Sequence, residues 1–284
     1  MRYWLAALPE IDSMLDGARR ILIATDFDGT LCPIADSPSA VRIESATLEI
    51  LRCVAACQRL TLAVISGRAL EDVRRRVPLD IVFAGNHGLE IRGGGLDFEH
   101  AEARQIRPTL AAACDALAGV TRHWPAAWVE DKGLSATLHF RKVDQRHHRL
   151  LLFAARRSLG VFGSQLALRL GQRALEVRPK VKWDKGSALQ YIREKAGPFH
   201  ACISIGDDRT DETMFRAKRD QLNFRIGCVT GTAATHYFFD SAGVAILLSH
   251  IVDLCNSRAH PGWSGSTSSV LAGNAIERID NGKR

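Results

Sequence analysis

Residues 21–31 read Ile-Leu-Ile-Ala-Thr-Asp-Phe-Asp-Gly-Thr-Leu, a pattern that predicts a buried strand ending at two carboxylates. The aliphatic run is typical of a parallel strand, and the Gly-Thr pair then turns the chain away. In open α/β sheets reactive groups collect outside the carboxyl ends of the strands, so Asp26 and Asp28 should face a crevice. Two acids in such a place favour a hard cation such as Mg²⁺. The alternative is that Asp28 and Gly29 form only a turn.

The elements that follow this strand predict a parallel sheet around it. An amphipathic helix over residues 45–58 and an apolar strand over residues 60–65 complete a β-α-β unit, whose right-handed crossover makes the two strands neighbours. Further predicted elements are a helix over 3–19, a helix from about 185 to 195, a short helix from 231, and strands at 81–84, 201–205, 224–229 and 244–248. We therefore predict an α/β fold with a doubly wound, mostly parallel sheet as its core.

The middle of the chain follows a different pattern and predicts an inserted α+β cap domain. A helix over residues 105–117 precedes a stretch of alternating polarity at 134–143, and a helix over 145–159 precedes a hairpin at 166–178. Such alternation makes one face of an antiparallel sheet apolar and the other polar. The composition near the end, rich in Ser, Gly and Asn, predicts a flexible tail. The expected boundaries are 1–101 and 180–256 for the core, 102–179 for the cap and 257–284 for the tail.

Polar residues follow the other predicted strands of the core. Residues 66–68 are Ser-Gly-Arg, residues 85–90 are Gly-Asn-His-Gly-Leu-Glu, and residues 207–212 contain four acids. A hydroxyl beside a glycine can bind a phosphate oxygen, although Ser66 also suits the N-cap of a helix. The loop at 85–90 could be only a glycine-rich turn, but its position at another strand end favours a place in the same crevice. The acids would repel one another unless a cation lies among them.

Composition limits the classes of protein and partner. The chain has 284 residues, a net charge of +7 and seven cysteines, an odd number that favours reduced thiols and a cytoplasmic location. Residues 101–180 hold 14 Lys and Arg against 6 Asp and Glu, a basic excess that would attract an anionic substrate, although solvated helix faces also explain it. No apolar run reaches the roughly 18 to 20 residues that span a bilayer. We expect no membrane or nucleic-acid partner and favour a monomer.

The motifs at the strand ends resemble those of a known group of enzymes. Residues 26–34 resemble the nucleophile motif of the haloacid dehalogenase superfamily of phosphotransferases. Together with the motifs at 66–68 and 85–90, the Asp-Gly-Thr-Leu-Cys-Pro-Ile of residues 28–34 looks like the trehalose-6-phosphate phosphatases. This resemblance covers the chain up to about residue 255.

The resemblance implies roles for residues of the core. Asp26 would attack phosphorus and become an aspartyl phosphate, while Asp28 would protonate the leaving oxygen and then activate water. Lys185, with Lys182 as the second choice, would balance the charge of Asp26 and the phosphate. The ligands of Mg²⁺ would be the Asp26 carboxylate, the Asp28 carbonyl and Asp207. Residues expected to assist are Ser66 at the phosphate and Thr30, Asp208 and Asp211 around the ligands.

The resemblance also implies that the polar face of the cap holds the sugar. The cap motifs are Glu-x-Lys-Gly at 130–133, His-x-Arg at 139–141 and Glu-x-Arg-Pro at 176–179. Carboxylates accept hydrogen bonds from sugar hydroxyls and basic groups donate to them, although an antiparallel sheet commonly shows its polar face only to water. The expected substrate-binding residues are Arg68, Asn86, His87, Glu130, Lys132, Arg141, Glu176 and Arg178.

The function implied is Mg²⁺-dependent hydrolysis of trehalose 6-phosphate, a small sugar phosphate. Two alternatives stay open. One is a phosphatase or mutase of the same fold that acts on another sugar phosphate, because only the cap motifs separate the two. The other is a regulatory module that binds a sugar phosphate after its catalysis has decayed.

Overall fold

The computed structural model describes residues 1–35, 37–171, 173–217 and 221–259, which form two β-sheets with helices packed on them. The strands are β1 (Arg2–Tyr3), β2 (Ile21–Thr25), β3 (Leu60–Ile65), β4 (Val82–Gly85), β5 (Glu90–Gly93), β6 (Leu96–Glu99), β7 (Trp128–Asp131), β8 (Ala136–His139), β9 (Leu166–Gly171), β10 (Ala174–Pro179), β11 (Ala201–Gly206), β12 (Leu222–Ile226) and β13 (His236–Phe238). The α-helices are α1 (Leu8–Gly17), α2 (Ser45–Ala56), α3 (Leu70–Arg76), α4 (Ala101–Gln105), α5 (Arg107–Thr121), α6 (Gln145–Leu159), α7 (Lys185–Ala196), α8 (Glu212–Phe215) and α9 (Ser241–Ala259).

The larger sheet has nine strands in the order β1-β13-β12-β11-β2-β3-β4-β5-β6. In this spatial order, each pair of neighbouring strands from β1 to β4 is parallel. The pairs β4–β5 and β5–β6 at the other edge are antiparallel. Strand β2 therefore lies at the centre, between β11 and β3. The carboxyl ends of these three strands share one edge of the sheet, which is where the predicted functional residues lie.

Helices cover both faces of this sheet. Successive residues of a strand point to opposite faces, and β2 uses both. Ile21 and Ile23 belong to a buried cluster with residues of α1, α2 and α9. Leu22 and Ala24 belong to the cluster on the other face, which contains Ala188 of α7. The prediction of a doubly wound, mostly parallel α/β core is therefore confirmed.

The second sheet is antiparallel and has the order β7-β8-β10-β9. Its apolar residues, among them Leu138 on β8 and Val177 on β10, pack against Leu117 of α5 and Leu151 of α6. The predicted helix over residues 145–159 is confirmed as α6, which begins where the Asp144 carboxylate accepts a hydrogen bond from the Arg146 N–H. One face of this α+β unit is thus apolar, and the other faces the strand ends of the larger sheet.

One strand prediction was wrong because the periodicity was misread. Residues 244–248 lie within helix α9. Val244, Leu247, Leu248 and Ile251 are buried, which is the i, i+3, i+4, i+7 spacing of a helix rather than of a strand. The last strand of the sheet is instead β13, which the sequence analysis missed.

Other differences concern the ends of elements. The predicted helix over 3–19 is divided into a strand, a 3₁₀ turn and α1, with Pro9 in the first turn of α1. The hairpin of β5 and β6 was not predicted, and no helix forms from residue 231 to β13. Helix α9 continues to Ala259, beyond the expected end of the core at 256. Residues 260–284 of the expected tail lie outside the described residues. Among the described residues, no helix combines the length and apolarity needed to cross a membrane.

Candidate active site

The register of the central strands brings the predicted core residues together. Thr25 of β2 pairs with Ile205 of β11 and with Val64 of β3, so the residues that follow these strands are neighbours. A cleft of about 770 Å³ lies between this edge and the polar face of the cap sheet. The core contributes Asp26, Asp28, Arg68, His87, Lys185, Asp207 and Asp208 to its walls. The cap contributes Glu130, Lys132, Arg141 and Glu176.

Asp26 forms a buried ion pair at the base of the cleft. Its residue is 5% exposed, and the Lys185 Nζ lies 2.8 Å from Asp26 Oδ1 and 2.7 Å from Asp211 Oδ1. The N–H of Phe27 donates to the same Asp26 oxygen at 2.7 Å. Burial raises the pKa of Asp26 well above its usual value although Lys185 opposes the shift. For Lys185, burial favours the neutral amine, but Asp211 and Asp26 outweigh it and raise its pKa. Lys185 is therefore held as a cation between two carboxylates.

The choice between the candidate lysines has a structural basis. Lys185 is the first residue of α7, directly after the N-cap Asp184, whose side chain accepts a hydrogen bond from the Ser187 N–H. This cap fixes the start of the helix so that Lys185 points inward, where it is 2% exposed. Lys182 is exposed.

Three carboxylates form a group that suits a metal ion. Asp26, Asp207 and Asp211 each bring one oxygen within 4.8 Å of the others. Asp207 Oδ1 is buried and has no hydrogen-bond partner among the described residues. Burial raises the pKa of Asp207 to about 7, and the charge of Asp211 adds to the shift. Carboxylate oxygens are the ligands that hard divalent cations prefer, so this donor set could bind such an ion. Asp211 was expected to be an assisting residue rather than a member of this group.

The loop that carries Asp207 lies directly against the turn that follows β2. Gly29 has a φ of +77°, and a Cβ there would lie 2.1 Å from Asp207 Oδ2. Only glycine adopts this conformation readily and allows the carboxylate so close. Asp211 fixes the other side of the loop, because its Oδ2 accepts hydrogen bonds from the N–H groups of Asp207 and Asp208 at 3.0 and 2.9 Å. The Asp208 side chain is exposed and accepts from the Arg209 N–H.

Asp28 is held by the arginine of the Ser-Gly-Arg motif. Arg68 donates from Nε to Asp28 Oδ2 and from Nη2 to Asp28 Oδ1, both at 2.7 Å. A second carboxylate, Asp72, accepts from Arg68 Nη1 at 2.6 Å. Arg68 is thus bound to protein groups on two sides, and it fixes the Asp28 carboxylate at the cleft wall. This pairing was not predicted, since Arg68 was expected to contact substrate.

Several predicted residues lie behind the cleft surface rather than in it. Ser66 is fully buried, and its Oγ accepts a hydrogen bond from the Arg68 N–H at 3.2 Å. Thr30 is also fully buried, and its Oγ1 has no hydrogen-bond partner among the described residues. Neither residue is part of the cleft lining. The alternative in which Ser66 caps the helix is wrong, because the N-cap of α3 is Ala69 and no side chain caps it; the Ser66 hydroxyl instead accepts within the turn before α3.

Asn86 connects the core to the cap. Its side-chain Nδ2 donates to Glu90 Oε1 at 2.6 Å and to the Lys132 carbonyl at 3.0 Å, and its Oδ1 accepts from the Ser135 hydroxyl. Asn86 is fully buried and is not part of the cleft lining. The loop is sharply turned, with a φ of 50° at Asn86 and 58° at His87. Asn86 therefore joins the two parts of the molecule in this structure, whereas it was expected to bind substrate.

His87 lies at the same junction but faces the cleft. Its Nε2 is 3.7 Å from Glu176 Oε1 of the cap, and its Nδ1 is buried without a hydrogen-bond partner among the described residues. Burial lowers the pKa of His87 to about 3, although Glu176 opposes the shift. The imidazole is therefore neutral at physiological pH. Glu176 also pairs with Arg178, which lies outside the cleft lining.

The first strand of the cap presents its polar residues to the cleft. Glu130 accepts a hydrogen bond at Oε2 from His139 Nε2 at 2.8 Å, and Lys132 Nζ lies 3.8 Å from the same oxygen. Burial works to raise the pKa of Glu130, but His139 and Lys132 outweigh it and lower the pKa. Lys132 Nζ also donates to the Gly67 carbonyl of the core at 3.2 Å. Arg141 is exposed at the cleft wall.

Sequence reasoning missed several residues that line the cleft, among them Trp128 and Arg225, which have large aromatic or polar side chains. Trp128 precedes Glu130 by two residues and lines the cleft, a position that strand alternation could have indicated. Arg225 of β12 also lines the cleft and donates to the Asp208 carbonyl at 3.0 Å and to Glu212 Oε1 at 3.2 Å. No local signal marks Arg225, because its contact with the acidic loop depends on how two strands are placed side by side.

Comparison with solved structures agrees with the fold class. The haloacid dehalogenase-like hydrolase from Bacteroides thetaiotaomicron is 18% identical, with a TM-score of 0.57 over 82% of this chain and 99% of that one. The crystal structure of a trehalose-6-phosphate phosphatase related protein is 24% identical, with a TM-score of 0.75 over 84% of this chain and 99% of that one. The chain therefore has the haloacid dehalogenase-like fold.

Sequence comparison then gives the family. The profile of the trehalose-phosphatase family matches residues 24–242, so the chain belongs to that family, as the motifs predicted. Trehalose-phosphate phosphatase B of Arabidopsis thaliana is 30% identical over 238 residues. The match covers 77% of this chain and 63% of that relative, so the chain spans less than two thirds of its length.

Proposed function

We propose that the protein hydrolyses trehalose 6-phosphate to trehalose and phosphate. The observation that carries the proposal is the buried pair of Asp26 and Lys185 at the base of a cleft whose opposite wall is polar. Family membership supports the substrate, since relatives such as trehalose-phosphate phosphatase B of Arabidopsis thaliana are named for this activity. The reduced thiols expected from the sequence favour a cytoplasmic location.

In the first step Asp26 attacks the phosphorus in line with the leaving oxygen. A bond forms between an Asp26 oxygen and phosphorus while the ester bond to the sugar oxygen breaks, and Asp28 donates a proton to that oxygen. Both oxygens of Asp28 accept hydrogen bonds from Arg68. This pair must therefore loosen before Asp28 can carry the proton.

In the second step water hydrolyses the aspartyl phosphate. Asp28 removes a proton from a water molecule, the water oxygen bonds to phosphorus, and the bond to Asp26 breaks to release phosphate. Lys185 Nζ lies 2.8 Å from Asp26 Oδ1 and 2.7 Å from Asp211 Oδ1, so its positive charge is in place beside the site of phosphoryl transfer. That charge stabilises the phosphoryl oxygens without requiring any rearrangement.

The acidic group beside Asp26 is proposed to hold Mg²⁺. Its ligands would be the carboxylates of Asp26 and Asp207 and the backbone carbonyl of Asp28, with Asp211 and Asp208 positioning the loop. The unpartnered Asp207 oxygen fits this role. Bound Mg²⁺ supplies positive charge that keeps the carboxylates ionised and neutralises charge on the transferring group.

The cap, proposed as residues 102–179, is assigned to recognition of the sugar. Glu130, Lys132 and Glu176 line the cleft together with Arg141, and they offer both acceptors and donors to sugar hydroxyls. A buried polar group without its partner costs free energy, so such contacts can reject sugars of another shape. The proposed core comprises residues 1–101 and 180–256.

The experiment that tests this function is a phosphate-release screen of the purified protein. The panel contains trehalose 6-phosphate, glucose 6-phosphate, other sugar phosphates and p-nitrophenyl phosphate, each with Mg²⁺ and with chelator. We expect phosphate release from trehalose 6-phosphate to exceed the release from the other sugar phosphates. This release should be lost when chelator removes Mg²⁺. Faster phosphate release from another sugar phosphate would reject trehalose 6-phosphate as the substrate. Binding without any release would indicate a decayed regulatory module.

A further inference from the structure

A large aromatic side chain lies exposed inside the cleft. Trp128 begins strand β7 at the edge of the cap sheet, lines the cleft, and keeps 46% of its surface exposed. An aromatic side chain gains stability when its large apolar surface is buried. An exposed indole in a binding cleft can therefore gain this burial by contacting a ligand. Phe153 of α6 is another exposed aromatic residue of the cap at 63%, but it is not part of the cleft lining.

A neighbouring imidazole holds the indole in place. Trp128 and His139 are register partners on adjacent strands, and their rings stack with centroids 4.2 Å apart and planes 19° from parallel. His139 is itself fixed by its 2.8 Å hydrogen bond to Glu130. Because one face of the indole lies on His139, its exposed surface is the opposite face and the ring edge. That face is flat and apolar, and the stacked imidazole restricts the orientation of the ring.

The position of Trp128 along the strand indicates which part of a ligand it meets. Trp128, Glu130 and Lys132 alternate along the chain toward one side of the sheet. Lys132 is at the end nearest the core, since its Nζ donates to the Gly67 carbonyl. Trp128 lies four residues earlier, roughly 13 Å away at about 3.3 Å per residue. A ligand whose phosphate lies at Asp26 therefore reaches Trp128 only with its far end.

We propose that Trp128 is a stacking platform for the sugar ring farther from the phosphate, and that it favours disaccharide phosphates over monosaccharide phosphates. This inference rests on the proposed function and specifies the recognition within it. A hexopyranose ring has a face of C–H groups that packs on an aromatic face, while its hydroxyls project from the edge. Stacking on Trp128 would turn those hydroxyls toward Glu130, two residues along the strand.

Steady-state kinetics with matched variants test the platform. In Trp128→Ala we expect the KM for trehalose 6-phosphate to rise about five- to tenfold, given the usual strength of aromatic contacts. The kcat should change little, and so should kcat/KM for glucose 6-phosphate and p-nitrophenyl phosphate, which lack the second ring. Trp128→Phe should recover part of the loss. Phe153→Ala, the matched control outside the cleft, should behave as wild type.

Tryptophan fluorescence provides a second measurement that requires no turnover. Trehalose added to the wild-type protein should change the emission, and the change should be absent in Trp128→Phe, which retains the other four tryptophans. Glucose at the same concentration should cause a smaller change. Near-identical circular dichroism spectra of the variants would show that the substitution leaves the fold intact.

The outcomes separate the two proposals. If trehalose 6-phosphate is hydrolysed but its KM is the same in Trp128→Ala and wild type, the platform is rejected and the function stands. If wild type does not hydrolyse trehalose 6-phosphate but trehalose changes the Trp128 emission, the function is rejected and the platform stands. If Trp128→Ala loses activity equally on trehalose 6-phosphate, glucose 6-phosphate and p-nitrophenyl phosphate, the residue supports the cleft generally and the platform is rejected.

Discussion

The two walls of the cleft are built in different ways. On the core side, Asp26, Lys185 and Asp211 are buried and joined by ion pairs of 2.7 to 2.8 Å. On the cap side, Trp128 and Arg141 are exposed. Buried, paired charges are fixed before a ligand arrives, which suits the stabilisation of a reacting group. The exposed groups of the cap lie on a separate sheet, so they can be exchanged for other residues without disturbing the ion pairs of the core. This independence suits the recognition of a particular substrate.

The largest effect is expected from the core wall. Asp26→Asn removes the nucleophilic oxygen while keeping the size of the side chain, so turnover should fall by a factor of about 10³ or more. Trehalose should still change the fluorescence of this variant, because the cap wall is untouched. Phosphate release and a trehalose titration measure the two effects. Substantial remaining turnover in pure protein would reject Asp26 as the nucleophile.

A second core substitution tests the close approach of two loops. In Gly29→Ala the added Cβ would lie 2.1 Å from Asp207 Oδ2, at a φ of +77°. We expect turnover to fall about 100-fold and the Mg²⁺ concentration for half-maximal activity to rise, since the carboxylate must move. The matched control is Gly17→Ala, where a Cβ would meet nothing within 4 Å. Equal behaviour of the two variants would show that the position of Asp207 is unimportant.

The cap wall is tested by a substrate-dependent loss. In Glu176→Ala we expect kcat/KM for trehalose 6-phosphate to fall about 10- to 100-fold, as when a charged hydrogen bond to substrate is lost. The value for p-nitrophenyl phosphate should stay within about threefold of wild type. Glu49→Ala, on the exposed surface of α2, serves as the control. Equal losses on both substrates would remove Glu176 from sugar recognition.

The smallest effect concerns the connection between the walls. Asn86→Ala removes hydrogen bonds to Lys132 and Ser135 of the cap and should lower the free energy of unfolding by about 1–3 kcal/mol. Denaturant unfolding measures this change, with Gln190→Ala on the exposed face of α7 as a control expected within about 0.5 kcal/mol of wild type. If stability is unchanged but substrate binding is weakened, Asn86 contacts the substrate rather than joining core and cap.

Local sequence patterns were sufficient where the same periodicity continues along a whole segment. The alternation at 134–143 gave the apolar and polar faces of β8, since Leu138 is buried in the cap core and His139 lies on the cleft side. Residues 244–248 show the limit of this reasoning. A run of five apolar residues fits a buried strand or a buried helix, and only the spacing that continues to the buried Ile251 distinguishes α9.

The sequence by itself determined the central strand with its two acids, the parallel core, the inserted cap and the family. These follow from periodicity and from motifs of adjacent residues, which keep their meaning wherever the chain folds. Only the tertiary structure decided that Arg68 binds Asp28, that Asn86 joins core to cap, and that Trp128 stacks on His139. Each of these contacts joins different elements, so it depends on strand register and loop paths that no local pattern encodes.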